Sequence, residues 1–264
     1  MVLSFVFTFP CENIFRPCFN NFAPVRPHKV SNYIDPIQAQ KIRLIMTLRQ
    51  SGVQNMDVLN AIENIPREHF IDPMMMDQAY DDIAMPIGRG QTISQPSVVA
   101  KMTEALELTD RHKVLEIGTG TGYQACILSK ICRRVYTIER QKLLHDLAEK
   151  NFKALHLRNI TTLYGDGMGG WPKIHGIEQA PFDRIIVTAA AREKPPQALI
   201  DQLVIGGIMI APIGESGKQM LKRYKKEGED TWSVVDVMPV RFVPLLPDFE
   251  SDKSQENIMD RVVA

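Results

Sequence analysis

Apolar residues recur along this chain in two rhythms, and the change of rhythm divides it. From Ile37 to Glu107 the spacing is helical: Ile42, Ile45 and Met46 stand at i, i+3 and i+4, and Val58, Ala61, Ile62 and Ile65 repeat the pattern before Pro66. A glycine-containing connector over residues 85–96 follows. Its last residue, Pro96, suits the first position of a helix carrying Val98, Val99, Met102 and Leu106. From Lys113 the rhythm becomes short apolar run, turn, helix. Runs at 114–117, 135–138, 160–163, 185–187 and 208–211 predict five strands, and Leu144, Leu147, Ala148, Phe152 and Leu155 mark the helix after the second. That spacing is one of βαβ crossovers around a parallel sheet. Residues 220–226 and 232–243, joined by Glu-Gly-Glu-Asp, predict an antiparallel hairpin. The expected fold is α/β, a mostly parallel sheet with helices on both faces and a C-terminal antiparallel hairpin. It occupies residues 37–250, with a helical part over 37–110 and a nucleotide-binding core over 111–250.

The ends differ. The first 36 residues hold six of the eleven Phe, five of the seventeen Pro and no Gly, which predicts an irregular extension. Residues 251–264 form a short tail. Equal numbers of basic and acidic residues, 31 of each, disfavour nucleic acid as a partner, because phosphate binding needs a basic surplus. No apolar run is long enough to span a membrane, and the apolar start lacks a basic flank and a cleavage site. A cytoplasmic protein is expected, monomeric or oligomeric. The four cysteines form no C-x-x-C pair, Cys126 and Cys132 fall in apolar segments, and the six histidines are scattered, so no metal is expected.

Glu116-Ile-Gly-Thr-Gly-Thr-Gly-Tyr123 carries the clearest chemistry. It follows a strand and opens a helix, where glycines let a ligand approach the backbone and helix N–H groups face an anion. The spacing is G-x-G-x-G, not the dinucleotide G-x-G-x-x-G, and Glu139 ends the next strand where a ribose diol would need an acceptor. Together these point to an adenosine ligand without a pyrophosphate, a description S-adenosylmethionine fits. A nicotinamide cofactor is disfavoured by the spacing. No P-loop and no G-x-S-x-G elbow occurs.

Pro66-Arg-Glu-His-Phe70, Pro86-Ile-Gly-Arg-Gly-Gln-Thr-Ile-Ser-Gln-Pro96, the glycine turn, Gly165-Asp-Gly167, Ile185-Ile-Val-Thr-Ala-Ala190 and Val240-Arg-Phe-Val-Pro-Leu245 occur in this order. The chain thereby resembles the protein-L-isoaspartate O-methyltransferase family from about Ile37 to Leu246. The resemblance implies a Rossmann-like enzyme that moves a methyl group from S-adenosylmethionine to the free α-carboxylate of L-isoaspartyl residues in damaged proteins, leaving S-adenosylhomocysteine. The ester then closes to a succinimide that reopens partly to aspartate. It also implies Ser94 as the active-site serine, and Glu116, Gly118, Thr119, Gly120, Thr121, Gly122, Glu139, Asp166 and Gly167 as cofactor positions. Thr92, on the Ser94 loop, is a second hydroxyl for the substrate. Ser94 has a competing reading as the cap of the Pro96 helix, and Asp166 as a plain turn residue. Trp171 reads as packing, and Arg241 as either a groove residue or a solvated charge. Two other functions stay open: a methyltransferase of another carboxylate or small molecule, and a cofactor-binding module without catalysis.

Overall fold

The computed structural model describes residues 35–247 and a two-residue strand at Val262–Val263. Apart from Asp35 and Pro36, the expected N-terminal extension lies outside the described residues, as does the tail apart from that strand. Helix α1 (Pro36–Gln50) starts on the last proline of the extension. Pro36 fills the first helical position, and Asp35 accepts the Ile37 N–H at 3.2 Å. Its buried face is not the predicted one: Leu44 and Leu48 are buried, whereas Ile42 and Met46 are exposed. The helix is apolar on two sides, so spacing cannot choose between them; contact with α2 (Met56–Asn64) and α3 (Pro96–Ala105) does. Helix α2 buries Val58, Ala61 and Ile62 as its period requires and is capped by Asn55. Glu104 of α3 accepts the N–H groups of Gln54 and Asn55 at 2.7 and 2.8 Å, which fastens α3 to the turn between α1 and α2.

The stretch before α3 is more than a connector. β1 (Met85–Gly88) and β2 (Gln91–Ile93) pair antiparallel, and Arg89 and Gly90 close the hairpin with positive φ. Strands this short carry no readable alternation; only Met85 and Ile93 are buried.

Among the described residues the main sheet has eight strands. β3 (Lys113–Ile117), β4 (Arg134–Glu139), β5 (Ile160–Tyr164), β6 (Phe182–Val187) and β7 (Leu203–Ile213) are parallel. β8 (Gln219–Lys226) and β9 (Trp232–Val240) add the expected antiparallel hairpin, and β10 (Val262–Val263) pairs antiparallel with β5. β6 starts three residues before its apolar run because its polar residues find partners: Asp183 accepts the Lys113 N–H, and Arg184 donates to the Leu106 carbonyl.

Along β3 the side chains alternate between two cores. Val114 faces the one built with α1–α3, α4 (Tyr123–Ser129) and α5 (Lys142–Ala154). Leu115 and Ile117 face the other, which holds Phe182, Leu199 of the short α6 (Gln197–Asp201) and Trp171. Trp171 is indeed packing, edge-on to Tyr136 with ring centroids 4.9 Å apart. Cys126 and Cys132 are buried free thiols. Among the described residues no helix is long and apolar enough to cross a membrane, and no His, Cys, Asp or Glu cluster is arranged to hold a metal ion. From β3 the chain steps outward through β4 to β5, then returns to lay β6 on the other side of β3. At such a switch point the loops leave in opposite directions and a crevice opens at the strands' carboxyl ends.

Candidate active site

A cavity of about 550 Å³ occupies that crevice, a size suited to a small organic ligand. Its floor is the turn after β3. Gly118 and Thr119 donate to the Ile138 carbonyl, and Gly122, left-handed at φ 97°, opens α4. The threonines of the turn work as internal ties. Thr119 shares a 2.6 Å hydrogen bond with Thr137, and Thr121 donates to the Phe70 carbonyl at 3.0 Å. From the facing strand Thr188 donates to the carbonyls of Ile117 and Gly118 at 2.9 and 2.6 Å. The loop is therefore clamped from both sides of the switch point.

Two glutamates flank this loop in opposite roles. Glu139, at the end of β4, lines the cavity and is nearly buried. Its two oxygens accept the N–H groups of Gly120 and Gln141 at 2.8 and 2.9 Å. Burial pushes its carboxyl above the usual value, against the pull of those N–H donors. Glu116, in the middle of β3, does not line the cavity and is fully buried. Its Oε2 accepts from Thr137, its Oε1 has no partner, and burial raises it to about 8. At neutral pH it is mostly the uncharged acid. Glu116 thus supports the loop through the chain Glu116–Thr137–Thr119 without reaching the ligand space.

A second wall is the loop from β2 into α3. Thr92 and Ser94 both line the cavity. Ser94 is not the helix cap: Gln95 holds the cap position without a side-chain bond, and Asp82 accepts the Ser97 N–H at 2.7 Å and the Gln95 amide at 3.0 Å. Among the described residues the Ser94 hydroxyl makes no hydrogen bond and is available to a ligand. The remaining wall is the end of β9 and the chain after it, where Met238, Arg241 and Phe242 line the cavity. Gln219 holds that segment as a strand would, accepting the Phe242 N–H and donating to its carbonyl at 2.6 and 3.0 Å. Ala190 fixes Val243 and Leu245 from the other side.

Of the predicted residues, the cavity gathers Thr92, Ser94, Gly118, Thr119, Gly120, Thr121, Glu139 and Gly167. It leaves out Glu116, Gly122 and Asp166. Gly122 is turned away under the Phe152 ring, and Asp166 accepts the Met168 N–H at 2.8 Å, capping a short turn. Sequence reasoning missed Asp82, Arg67 and the clamp role of Thr188. A charged residue inside the Pro66–Phe70 motif was the one available signal for Arg67.

Residues 39–250 match the family model described as protein-L-isoaspartate(D-aspartate) O-methyltransferase. The chain is 54% identical over 210 residues to a protein-L-isoaspartate O-methyltransferase of Rhodospirillum centenum, covering 80% of this chain and 93% of that protein. It is 52% identical over 216 residues to one of Parvibaculum lavamentivorans, covering 81% and 94%. A solved protein-L-isoaspartate O-methyltransferase superposes with TM-score 0.67 at 30% identity, over 77% of this chain and 65% of the other. A Plasmodium falciparum structure titled as such an enzyme, in complex with S-adenosyl-L-homocysteine, gives TM-score 0.62 at 25% identity, over 78% and 98%.

Proposed function

Since this chain belongs to the protein-L-isoaspartate(D-aspartate) O-methyltransferase family, we propose that its crevice seats S-adenosylmethionine along the 118–121 loop, with the substrate carboxylate beside Ser94. The reaction is methylation of the free α-carboxylate of L-isoaspartyl residues in damaged proteins. The ester product closes to a succinimide and reopens in part to aspartate. The observation that carries the assignment of ends is the pairing of walls. A buried carboxylate, Glu139, and an unengaged hydroxyl, Ser94, line the same 550 Å³ cavity from different elements. Glu139 has acceptor capacity beyond the backbone N–H bonds it accepts, which is what a ribose diol requires.

When bound, S-adenosylmethionine supplies a methyl group on a positively charged sulfur. The attacking α-carboxylate, with an ordinary pKa of about 3.3–3.7, is already ionised at neutral pH, so the site has no proton to remove. The cavity lining accordingly needs no histidine and contains none. What the protein contributes is placement. Ser94, and Thr92 beside it, can donate to the carboxylate oxygen that does not attack, leaving the other aimed along the transfer line. The apolar wall of Ile87, Val98 and Met238 strips water from the anion and raises its reactivity.

The test compares two peptides that differ only in an Asp or isoAsp linkage, incubated with the protein and labelled S-adenosylmethionine. Base-labile label is expected on the isoAsp peptide alone. Equal labelling, or none, would overturn the repair reading.

A further inference from the structure

Beneath the Ser94 loop lies a buried cation that the reaction described above does not use. Arg67 is completely excluded from solvent, forms no ion pair among the described residues, and does not itself line the cavity. Its Nη2 donates to the carbonyl of Ser94 at 2.9 Å and, more weakly, to that of Ile83 at 3.3 Å. Its guanidinium carbon sits 4.8 Å from the ring centre of Tyr123, a cavity-lining residue. Nε and Nη1 have no partner in good hydrogen-bond geometry, although the Tyr123 hydroxyl lies near enough to interact with the guanidinium. The acid that attracts it, Asp82, is already committed to Ser97 and Gln95. Burial lowers the guanidinium from its usual value, yet an arginine starts so high that it keeps its charge at neutral pH. A buried charge held by carbonyls and a ring face, without an ion-pair partner, costs stability, and perturbed charges of this kind gather at functional sites.

We propose that Arg67 is a positioning residue for the substrate carboxylate: it fixes the Ser94 backbone and sets a permanent positive charge behind it, so that the site prefers an anion. This rests on the assignment of the Ser94 loop to the substrate. Methyl transfer converts the carboxylate to a neutral ester, so the same charge favours the substrate over the product and assists release. Arg241 also lines the cavity but is exposed, and water screens it.

The test measures inhibition constants, in the presence of S-adenosylhomocysteine, for an isoaspartyl peptide and for its neutral α-carboxamide counterpart. The wild type should prefer the carboxylate. Arg67→Gln keeps an N–H for the Ser94 carbonyl but drops the charge, and should shrink that preference by about tenfold. Arg67→Lys should retain most of it. S-adenosylhomocysteine affinity reports that each variant is folded. A merely structural role for Arg67 would weaken both peptides alike and leave the ratio intact, which overturns the inference. So would a wild type without any preference, or a preference lost in Arg241→Gln but not in Arg67→Gln. Ser94→Ala separates this from the site assignment: turnover should fall by about tenfold with S-adenosylhomocysteine affinity unchanged. If Ser94→Ala leaves peptide kinetics untouched, the substrate does not sit there and the site reading fails first.

Discussion

Gly118→Ala is expected to lower S-adenosylhomocysteine affinity by about a hundredfold and to reduce the melting temperature by about 10 °C. Gly118 has φ 97°, a region that costs an L-residue about 1–2 kcal/mol. A Cβ there would lie 2.3 Å from Thr188 Oγ1. That oxygen cannot swing aside freely, because it holds the carbonyls of Ile117 and Gly118. Displacing it forfeits the hydrogen bond that its one proton shares between those carbonyls, worth about 0.5–1.5 kcal/mol. The combined loss, about 1.5–3.5 kcal/mol, is large beside the marginal stability of a domain. It falls on the loop that forms the cavity floor. Thr188→Ala in the same background should restore part of the melting temperature by removing the clash. Calorimetry with S-adenosylhomocysteine and a thermal melt check both effects; wild-type values for Gly118→Ala would mean that the loop is not held as described.

Glu139→Ala is expected to weaken the same ligand by about a hundredfold or more, since hydrogen bonds to a charged group are worth about 1.5–3 kcal/mol each. The loss has two sources. The ribose diol loses its acceptor, and the N–H groups of Gly120 and Gln141 lose theirs, which loosens the loop that should be preformed. Glu139→Gln keeps one acceptor oxygen and should fall between. The wild type should also show a pH dependence. Burial raises the Glu139 carboxyl above its ordinary value, so affinity is full well above that raised value and declines as pH falls through it. The Gln variant should show a flat profile over the same range. Unchanged binding by Glu139→Ala would move the ribose to another wall of the cavity.

How much of this was legible beforehand depended on how local each cause is. The order of strands, turn and helices was readable from residue 113 onward because apolar period and glycine placement act within a few residues. The glycine turn and the acid ending β4 were found for the same reason. Residues 85–93 were not read as a hairpin, since each strand there is too short to display a period. The buried face of α1 was misread because two faces were apolar and the neighbours choose.

The sequence by itself determined the fold class, the family resemblance and the position of the glycine turn that floors the cavity, all written in short-range patterns. Only the tertiary structure decided which of two nearby glutamates lines the cavity. Successive strand residues face opposite ways, and packing sends Glu116 into the core as a largely neutral acid while Glu139 reaches the cavity. It likewise decided that Ser94 is not a cap, because Asp82 bonds the Ser97 N–H from 15 residues away. And it brought Arg67 beneath Ser94 across 27 residues of chain. A charge's surroundings are set by everything packed around it, and no local pattern records them.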